Sequence, residues 1–297
     1  MRKKKDKLVN REYKDTVFTD LFYSDETAMD NLLGLVNALL GTQYTTPEVL
    51  QKVRLEDALM TGQKNDVAVT VANTQIVLCE HQSTVNYNMP VRLLQYIANE
   101  YEQYLTSTYG PNAKYQQKRF TLPNPRFFVL YNGEKEQPVD YTMRLSDAYE
   151  VSGDEPELEL TVRIININYL AEHHILEQCN VLHQYSQMVE IVRTHLKQGG
   201  TLSNEKKVTA AIRECIQRDI LKTYLLRKES EVVGMLSTEY NYELNLETRY
   251  EEGIEKGAEE QARTTAIRMY QKGMDIANIA DCVQFDIETV KGWLANV

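Results

Sequence analysis

Cysteine is scarce in this chain of 297 residues, and its four copies lie far apart in the sequence, at Cys79, Cys179, Cys215 and Cys282. No two of them have the short spacing that a zinc ribbon or a small disulfide framework needs. The sequence therefore excludes both of these protein classes. It favours a reducing compartment, where free thiols persist.

Long apolar runs are missing as well. No uninterrupted stretch approaches the ~20 residues that a membrane-spanning helix needs, so we expect no membrane partner. The first five residues are mostly basic, but the apolar core of a signal peptide does not follow them. Together these absences predict a cytoplasmic protein.

The chain has no excess of positive charge. Against 43 Asp and Glu it has 33 Lys and Arg, for a formal net charge of −10, and an acidic protein is a poor first candidate for nucleic-acid binding. The charge is unevenly divided, however. Residues 1–140 hold 16 basic and 17 acidic side chains, and residues 141–297 hold 17 basic and 26 acidic ones. The acidity belongs almost wholly to the second half, so the net charge limits the strength of nucleic-acid binding rather than ruling such a partner out.

What the sequence does contain, in its first 170 residues, is an alternation of helix and strand patterns. Apolar residues recur at three- and four-residue spacing over residues 25–41, which predicts a helix that ends at Gly41. β-Branched and apolar residues fill 66–72 and 75–82, and the short gap between them predicts a β-hairpin. Further elements are predicted as a helix at 90–105 and strands at 127–131 and 158–167.

Helical patterns dominate from about residue 169 onward. We therefore predict an α/β domain followed by an all-helical C-terminal region. The predicted domain ranges are 1–170, 171–245 and 246–297. The last of these contains an acidic helix and then two short helices that form a hairpin.

Polar residues on the predicted β-hairpin are the candidates for chemistry. Glu80 and Gln82 are two positions apart on one strand, so their side chains leave the same face, and Asp66 opens the partner strand. Burying a carboxylate is costly unless a cation balances it. Two carboxylates that meet at one point suit Mg²⁺, which binds one or two carboxylates together with waters and substrate phosphate.

The length of the hairpin loop decides whether this site can form. A strict two-residue loop of Asn73 and Thr74 makes the numbers of paired residues sum to 147 and puts Asp66 and Glu80 on opposite faces. A three-residue loop or a bulge makes the numbers sum to 146 and places Asp66 across from Glu80. We therefore predict an odd loop or a bulge, and pairing at 147 would rule the site out.

The pattern Asp66 … Glu80-His81-Gln82 resembles the D…E-x-Q form of the PD-(D/E)XK nuclease motif. This form is typical of the Rpn family of recombination-promoting nucleases and putative transposases. The resemblance covers nearly the whole chain. Its further blocks are residues 14–22, 32–40, 89–96, 211–216, 220–222 and 231–236, the helix with Gly253 and Gly257, and the final helical hairpin.

This resemblance implies a PD-(D/E)XK core with a mixed sheet flanked by helices. It also implies a DNA endonuclease dependent on Mg²⁺ or Mn²⁺ that hydrolyses phosphodiester bonds in recombination or mobile-element biology. Asp66 and Glu80 would be the metal ligands, and Gln82 would complete the catalytic set. The wider superfamily usually has lysine at the third position, whereas Gln82 offers hydrogen bonds but no charge.

Four further residues are candidate accessory groups. Asp15 stands where the superfamily often has an acidic residue on its first helix, and Lys64 is a candidate for part of the missing positive charge. Arg92 and Tyr96, four apart on one helix face, are candidates for phosphate contact, while stacking of the Arg on the Tyr explains them equally well. His81 replaces the more usual aliphatic residue, and its side chain is expected to face away from its two neighbours.

Other interpretations stay open. Without the flanking blocks, Asp66, Glu80 and Gln82 fit a hairpin whose polar residues face solvent. The alternative to an enzyme is a catalytically silent DNA- or partner-binding protein that retains the fold. The helical region is a candidate for homo-oligomerisation or regulation.

Overall fold

The computed structural model describes residues 17–53, 67–151, 156–198 and 202–295, with the backbone alone described for 238–249 and 251–252. The chain divides into two compact units, Met1–Ser237 and Thr238–Val297. Residues 171–237 therefore belong to the same unit as the first 170. The three predicted domain ranges, 1–170, 171–245 and 246–297, stay predictions.

The first unit is built on one six-stranded sheet with the strand order β1-β2-β3-β4-β6-β5. Strands β3, β4 and β6 are parallel, and the remaining pairs are antiparallel. An α/β fold with a mixed sheet is thereby confirmed. The strands are β1 (Leu50–Lys52), β2 (Val67–Val71), β3 (Gln75–Gln82), β4 (Asn124–Tyr131), β5 (Asp140–Arg144) and β6 (Thr161–Asn166).

Helices occupy much of the remaining described chain. They are α1 (Val17–Thr19), α2 (Ala28–Leu40), α3 (Met89–Tyr109), α4 (Ile175–Gln178), α5 (Asn180–Lys197), α6 (Asn204–Gln217), α7 (Lys222–Gln271), α8 (Ile276–Val283) and α9 (Ile287–Leu294). A π-helical turn at Asp20–Ser24 follows α1, and 3₁₀ turns lie at Pro47–Val49, Ala113–Tyr115, Leu145–Ala148 and Tyr169–Ala171. Within the described ranges, no helix combines the length and apolar character that crossing a bilayer requires.

The loop between β2 and β3 has three residues, as predicted. Val71 pairs with Gln75, and the numbers of every residue pair in this ladder sum to 146. Ala72 and Asn73 have positive φ angles of 47° and 56°, and the Thr74 N–H donates to the Val71 carbonyl at 3.0 Å. Two left-handed residues therefore close the turn, and Thr74 is the extra residue that sets the register.

Helix α3 covers one face of the sheet. Leu78 of β3 and Leu93 of α3 are fully buried in the same apolar cluster, and burying a side chain of this size stabilises the fold by about 1.5–3 kcal/mol. The opposite face of β3 meets the N-terminal segment and α5, because the rings of Phe18 and Tyr185 both contact His81. Residues of β3 thus alternate between two helical layers.

A cluster of charges around two buried carboxylates, Asp20 and Asp25, joins the N-terminal π-helical turn to α7. The Lys228 Nζ lies 2.8 Å from Asp20 Oδ2 and 3.3 Å from Asp25 Oδ2. The Tyr224 hydroxyl donates to Asp20 Oδ2 at 2.7 Å, and the Arg227 Nη2 lies 2.9 Å from both Asp25 carboxylate oxygens. Lys228 leaves helical geometry, with φ −126° and ψ 24°, so α7 is kinked at the residue that bridges the two carboxylates.

The second unit ends in the helical hairpin predicted from residues 275–294, which α8 and α9 confirm. Ile279 of α8, Val290 of α9 and Ala266 of α7 are buried in one apolar cluster. The carboxylates of Asp275 and Asp286 accept hydrogen bonds from the first turns of α8 and α9, as N-cap residues do.

The sequence does not predict the two outermost strands. β1 reads Leu-Gln-Lys and β5 reads Asp-Tyr-Thr-Met-Arg. Both are short edge strands with mixed polar composition, which is the usual character of a strand that faces solvent along one side. Their place in the sheet depends on pairing with β2 and β6 rather than on their own patterns.

Candidate active site

Strand β3 presents two of the predicted site residues to α3. The Glu80 side chain is buried, and its Oε2 accepts a hydrogen bond from Arg92 Nη2 at 3.3 Å. The Gln82 Nε2 lies 2.9 Å from the Met89 sulfur. Because Glu80 and Gln82 both contact α3, they leave the same face of the strand, as their spacing predicts.

Arg92 is the cation closest to this carboxylate among the described contacts. Its Nη2 also lies 3.3 Å from the Tyr96 hydroxyl, and its guanidinium carbon lies 5.9 Å from the Tyr96 ring centroid. Tyr96 is buried, whereas 23% of the Arg92 side chain is exposed. The structure therefore brings Arg92, Tyr96, Glu80 and Gln82 together, with the arginine reaching from solvent to the buried carboxylate.

The chain closes tightly around the carboxyl end of β3. The Asn132 N–H donates to the Gln82 carbonyl at 3.0 Å, which continues the pairing with β4 by one residue. At Gly133, an added Cβ would lie 1.9 Å from the Ser83 backbone oxygen. A side chain would collide with backbone there, so glycine is required where the two segments approach.

The side chain of His81 faces away from Glu80 and Gln82, as predicted. Its ring stacks on Phe18 with centroids 4.6 Å apart and an interplanar angle of 11°, and its Nε2 lies 3.0 Å from the Tyr185 hydroxyl. Burial, and then the positive charge of Arg193, lower the pKa of His81 to about 3. The imidazole is therefore neutral at physiological pH.

These partners of His81 are functional candidates that the sequence did not reveal. Tyr185 is 104 positions away in the sequence, on α5. No local spacing relates the two residues, since their contact depends on how α5 packs against the sheet. The signal in the sequence is a polar His81 on a strand whose residues 76–79 are all apolar.

Asp15, Lys64 and Asp66 lie outside the described residues, so their predicted roles stay predictions. Among the residues that the structure does describe, no three His, Cys, Asp or Glu side chains form a group suited to a metal ion. Glu80 and Gln82 nevertheless offer carboxylate and amide oxygens, the hard donors that Mg²⁺ prefers. Their chemistry fits this ion.

Comparison of the chain with protein-family models, with curated proteins and with solved structures finds no match. The chemistry of the site is therefore inferred from its own residues and their geometry.

Proposed function

We propose that this protein is a metal-dependent DNA endonuclease that hydrolyses phosphodiester bonds with Mg²⁺ or Mn²⁺, in recombination or on mobile elements. The observation that carries this proposal is the register of the β2–β3 hairpin. The two-carboxylate site requires that the numbers of paired residues sum to 146. Val67, the residue after Asp66, pairs with Cys79 and so follows this register. Asp66 and Glu80 are then the two metal ligands.

Each residue of the site has a chemical role in this proposal. A bound Mg²⁺ supplies charge neutralisation at the phosphate and lowers the pKa of the attacking water. Glu80 and Asp66 hold the ion, and the Gln82 amide orients the water by hydrogen bonding.

Arg92 supplies the positive charge that Gln82 lacks. Its guanidinium is always protonated and binds phosphate oxygens through paired donors. The group contacts Glu80 and remains partly exposed, so it is accessible to the phosphate of a bound strand. In this role Arg92 replaces the lysine of the wider superfamily.

The same ion pair favours a second candidate function. Arg92 already balances the Glu80 carboxylate within the protein, so burial of this carboxylate does not require a metal. This feature supports a catalytically silent DNA- or partner-binding protein that retains the fold. The two candidates differ in whether Glu80 contributes to metal affinity.

Nicking of supercoiled plasmid DNA in the presence of Mg²⁺ tests the enzyme. We expect the wild-type protein to nick, and Glu80→Gln to lower the rate by about 100-fold or more, because a carboxylate that holds the metal ion is lost. Glu102→Gln is the matched control, since this carboxylate is exposed on α3 and pairs with Lys114. Its nicking rate is expected to equal that of the wild type.

Calorimetric titration with Mn²⁺ separates the two candidate functions. Binding that is lost in both Glu80→Gln and Asp66→Ala supports the enzyme. Binding that does not depend on Glu80, or no binding, favours the silent protein. Equal nicking by the wild type and Asp66→Ala would show that the activity belongs to another site.

A further inference from the structure

The face of β3 opposite to Glu80 holds a second polar arrangement, centred on His81. The imidazole lies between two aromatic rings: Phe18 stacks on it, and Tyr185 approaches edge-on with centroids 5.5 Å apart and an interplanar angle of 76°. The Tyr185 hydroxyl lies 3.0 Å from His81 Nε2. The ring of His81 is thus fixed in position by packing and by a directed polar contact.

Asn132 connects this arrangement to the backbone of the candidate site. Its side-chain Nδ2 donates to the Tyr185 hydroxyl at 3.3 Å, and its backbone N–H donates to the Gln82 carbonyl at 3.0 Å. Asn132 is itself buried, and its backbone carbonyl accepts a hydrogen bond from the Arg193 guanidinium. One buried residue therefore holds both Gln82 and the tyrosine that contacts His81.

Polar contacts connect these groups in series. Asn132 Nδ2 donates to the Tyr185 oxygen, and the same hydroxyl lies within hydrogen-bond distance of His81 Nε2. Asn132, Tyr185 and His81 form a continuous path from the segment after β4, through α5, to β3.

We infer that Tyr185 is a positioning residue for the candidate active site, acting through His81. His81 lies between Glu80 and Gln82 on the strand, and fixing its side chain on one face fixes the direction in which both neighbours leave the other face. This inference rests on the proposed function. It assigns to α5, which belongs to the predicted helical region, a part in orienting Glu80 and Gln82.

The size of the expected effect follows from how closely metal sites depend on their supporting contacts. Groups that orient metal ligands typically change metal affinity or activity by about 10–100-fold when they are removed. Tyr185→Phe removes only the hydroxyl and keeps the ring against Phe18 and His81. We therefore expect about 10-fold weaker Mn²⁺ binding, together with a lower kcat and an unchanged KM for plasmid nicking.

Ser186→Ala is the matched control. Ser186 is the next residue on α5, it is equally buried, and its hydroxyl donates to the Ile167 carbonyl rather than to a group that contacts β3. Removing either hydroxyl removes one buried hydrogen bond and is expected to lower stability by a similar amount. Mn²⁺ affinity is expected to fall in Tyr185→Phe and to stay at the wild-type value in Ser186→Ala.

A second pair of variants tests the histidine. His81→Gln keeps a hydrogen-bonding group for Tyr185, whereas His81→Leu does not, so the glutamine variant is expected to retain more Mn²⁺ affinity. Calorimetry and the electron paramagnetic resonance spectrum of bound Mn²⁺ report on the site directly. Equal affinities in the two variants would contradict a positioning role.

The outcomes are distinguishable. If wild-type protein binds Mn²⁺ and Tyr185→Phe binds it equally well, the inference is wrong and the proposed function stands. If Ser186→Ala loses as much affinity as Tyr185→Phe, the loss is one of general stability and the inference is wrong. If the wild type neither binds Mn²⁺ nor nicks DNA, the proposed function itself fails and the inference fails with it.

Discussion

Glu100 is a carboxyl group on the buried face of α3, one turn after Tyr96. Its exposed fraction is 3%, and none of the described residues provides a hydrogen bond to its Oε1. Burial raises the pKa of Glu100 from 4.5 to about 7. The folded protein therefore keeps this group protonated in a range of pH in which the unfolded chain ionises it.

We expect Glu100 to make the protein less stable as the pH rises from 4.5 to about 7. Below this range both states are protonated, and within it the folded state binds more protons than the unfolded state, so the free energy of unfolding falls with pH. Glu100→Gln removes this dependence. The free energy of unfolding of the variant, relative to that of the wild type, is therefore expected to be higher at pH 8 than at pH 5 by on the order of 1–3 kcal/mol. Urea unfolding at the two pH values measures the difference.

Glu102→Gln is the control, because this residue is on the same helix and its side chain is 68% exposed. Its pH dependence is expected to match that of the wild type. Parallel profiles for Glu100→Gln and the wild type would show that Glu100 ionises normally in the folded state.

Most contacts among the described site residues follow from local rules of sequence. Glu80 and Gln82 share a face because strand residues alternate, and Arg92 and Tyr96 share a face because helix residues recur every three to four positions. The contact between His81 and Tyr185 follows from no such rule. It forms only because α5 packs on the sheet, and residue patterns do not encode the choice of packing partner 104 positions away.

At the scale of elements, the β2–β3 loop contains a residue in a strained backbone conformation, and a substitution can relieve this strain. Ala72 has a φ of 47°, a left-handed conformation that most side chains disfavour. We expect Ala72→Gly to stabilise the protein by about 0.5–1 kcal/mol, since relief of the strain exceeds the extra entropy of glycine in the unfolded chain. Ala72→Val is expected to destabilise it, because a β-branched side chain tolerates this region least.

Urea unfolding of the two variants checks the expectation. Ala68→Gly, in the middle of β2, is the control for the entropic cost of glycine, and it is expected to destabilise. A loss of stability in Ala72→Gly would mean that the left-handed turn is not the strained part of the hairpin.

The hairpin also shows how far elements are predictable. Its two strands and its odd loop follow from the residue pattern together with the geometric demand of a shared site. The edge strands β1 and β5 do not, because three to five residues of mixed polarity carry too little periodicity to distinguish a strand from a loop. The parallel pairing of β3 with β4 likewise depends on tertiary structure rather than on the composition of either strand.

At the scale of the whole molecule, the charge cluster at Asp20, Asp25 and Lys228 joins segments more than 200 residues apart. We expect Lys228→Met to destabilise the protein by about 3 kcal/mol, because it leaves buried carboxylates less well balanced. Arg213→Met is the control, since Arg213 forms an exposed pair with Glu229. That substitution is expected to cost less than about 1 kcal/mol.

The pH dependence gives a second test of this cluster. Burial raises the pKa of Asp25, but hydrogen bonds from Thr27 and the cations Lys228 and Arg227 outweigh burial and hold this pKa below its usual value of 3.8. The stability that follows is present above about pH 4 and is lost as the pH falls below it. Thermal unfolding across this range is expected to show a shallower acid loss for Lys228→Met than for the wild type. If the wild type and Lys228→Met lose the same amount of stability as the pH falls, Lys228 does not influence the ionisation of Asp25.

Strand β3 pairs with one strand that is close in the sequence and with one that is far away in the sequence, and this has a consequence for synthesis of the chain. Its antiparallel partner β2 is joined to it by three residues, whereas its parallel partner begins at Asn124, which pairs with Gln75 from 49 positions earlier. At about 5–20 residues per second, a ribosome needs roughly 2–10 s to make that intervening chain. During this interval the edge of β3 that pairs with β4 has no strand to cover it, and an uncovered edge is a template for aggregation. We therefore expect slow translation between residues 83 and 124 to lower the soluble yield more than slow translation after residue 131.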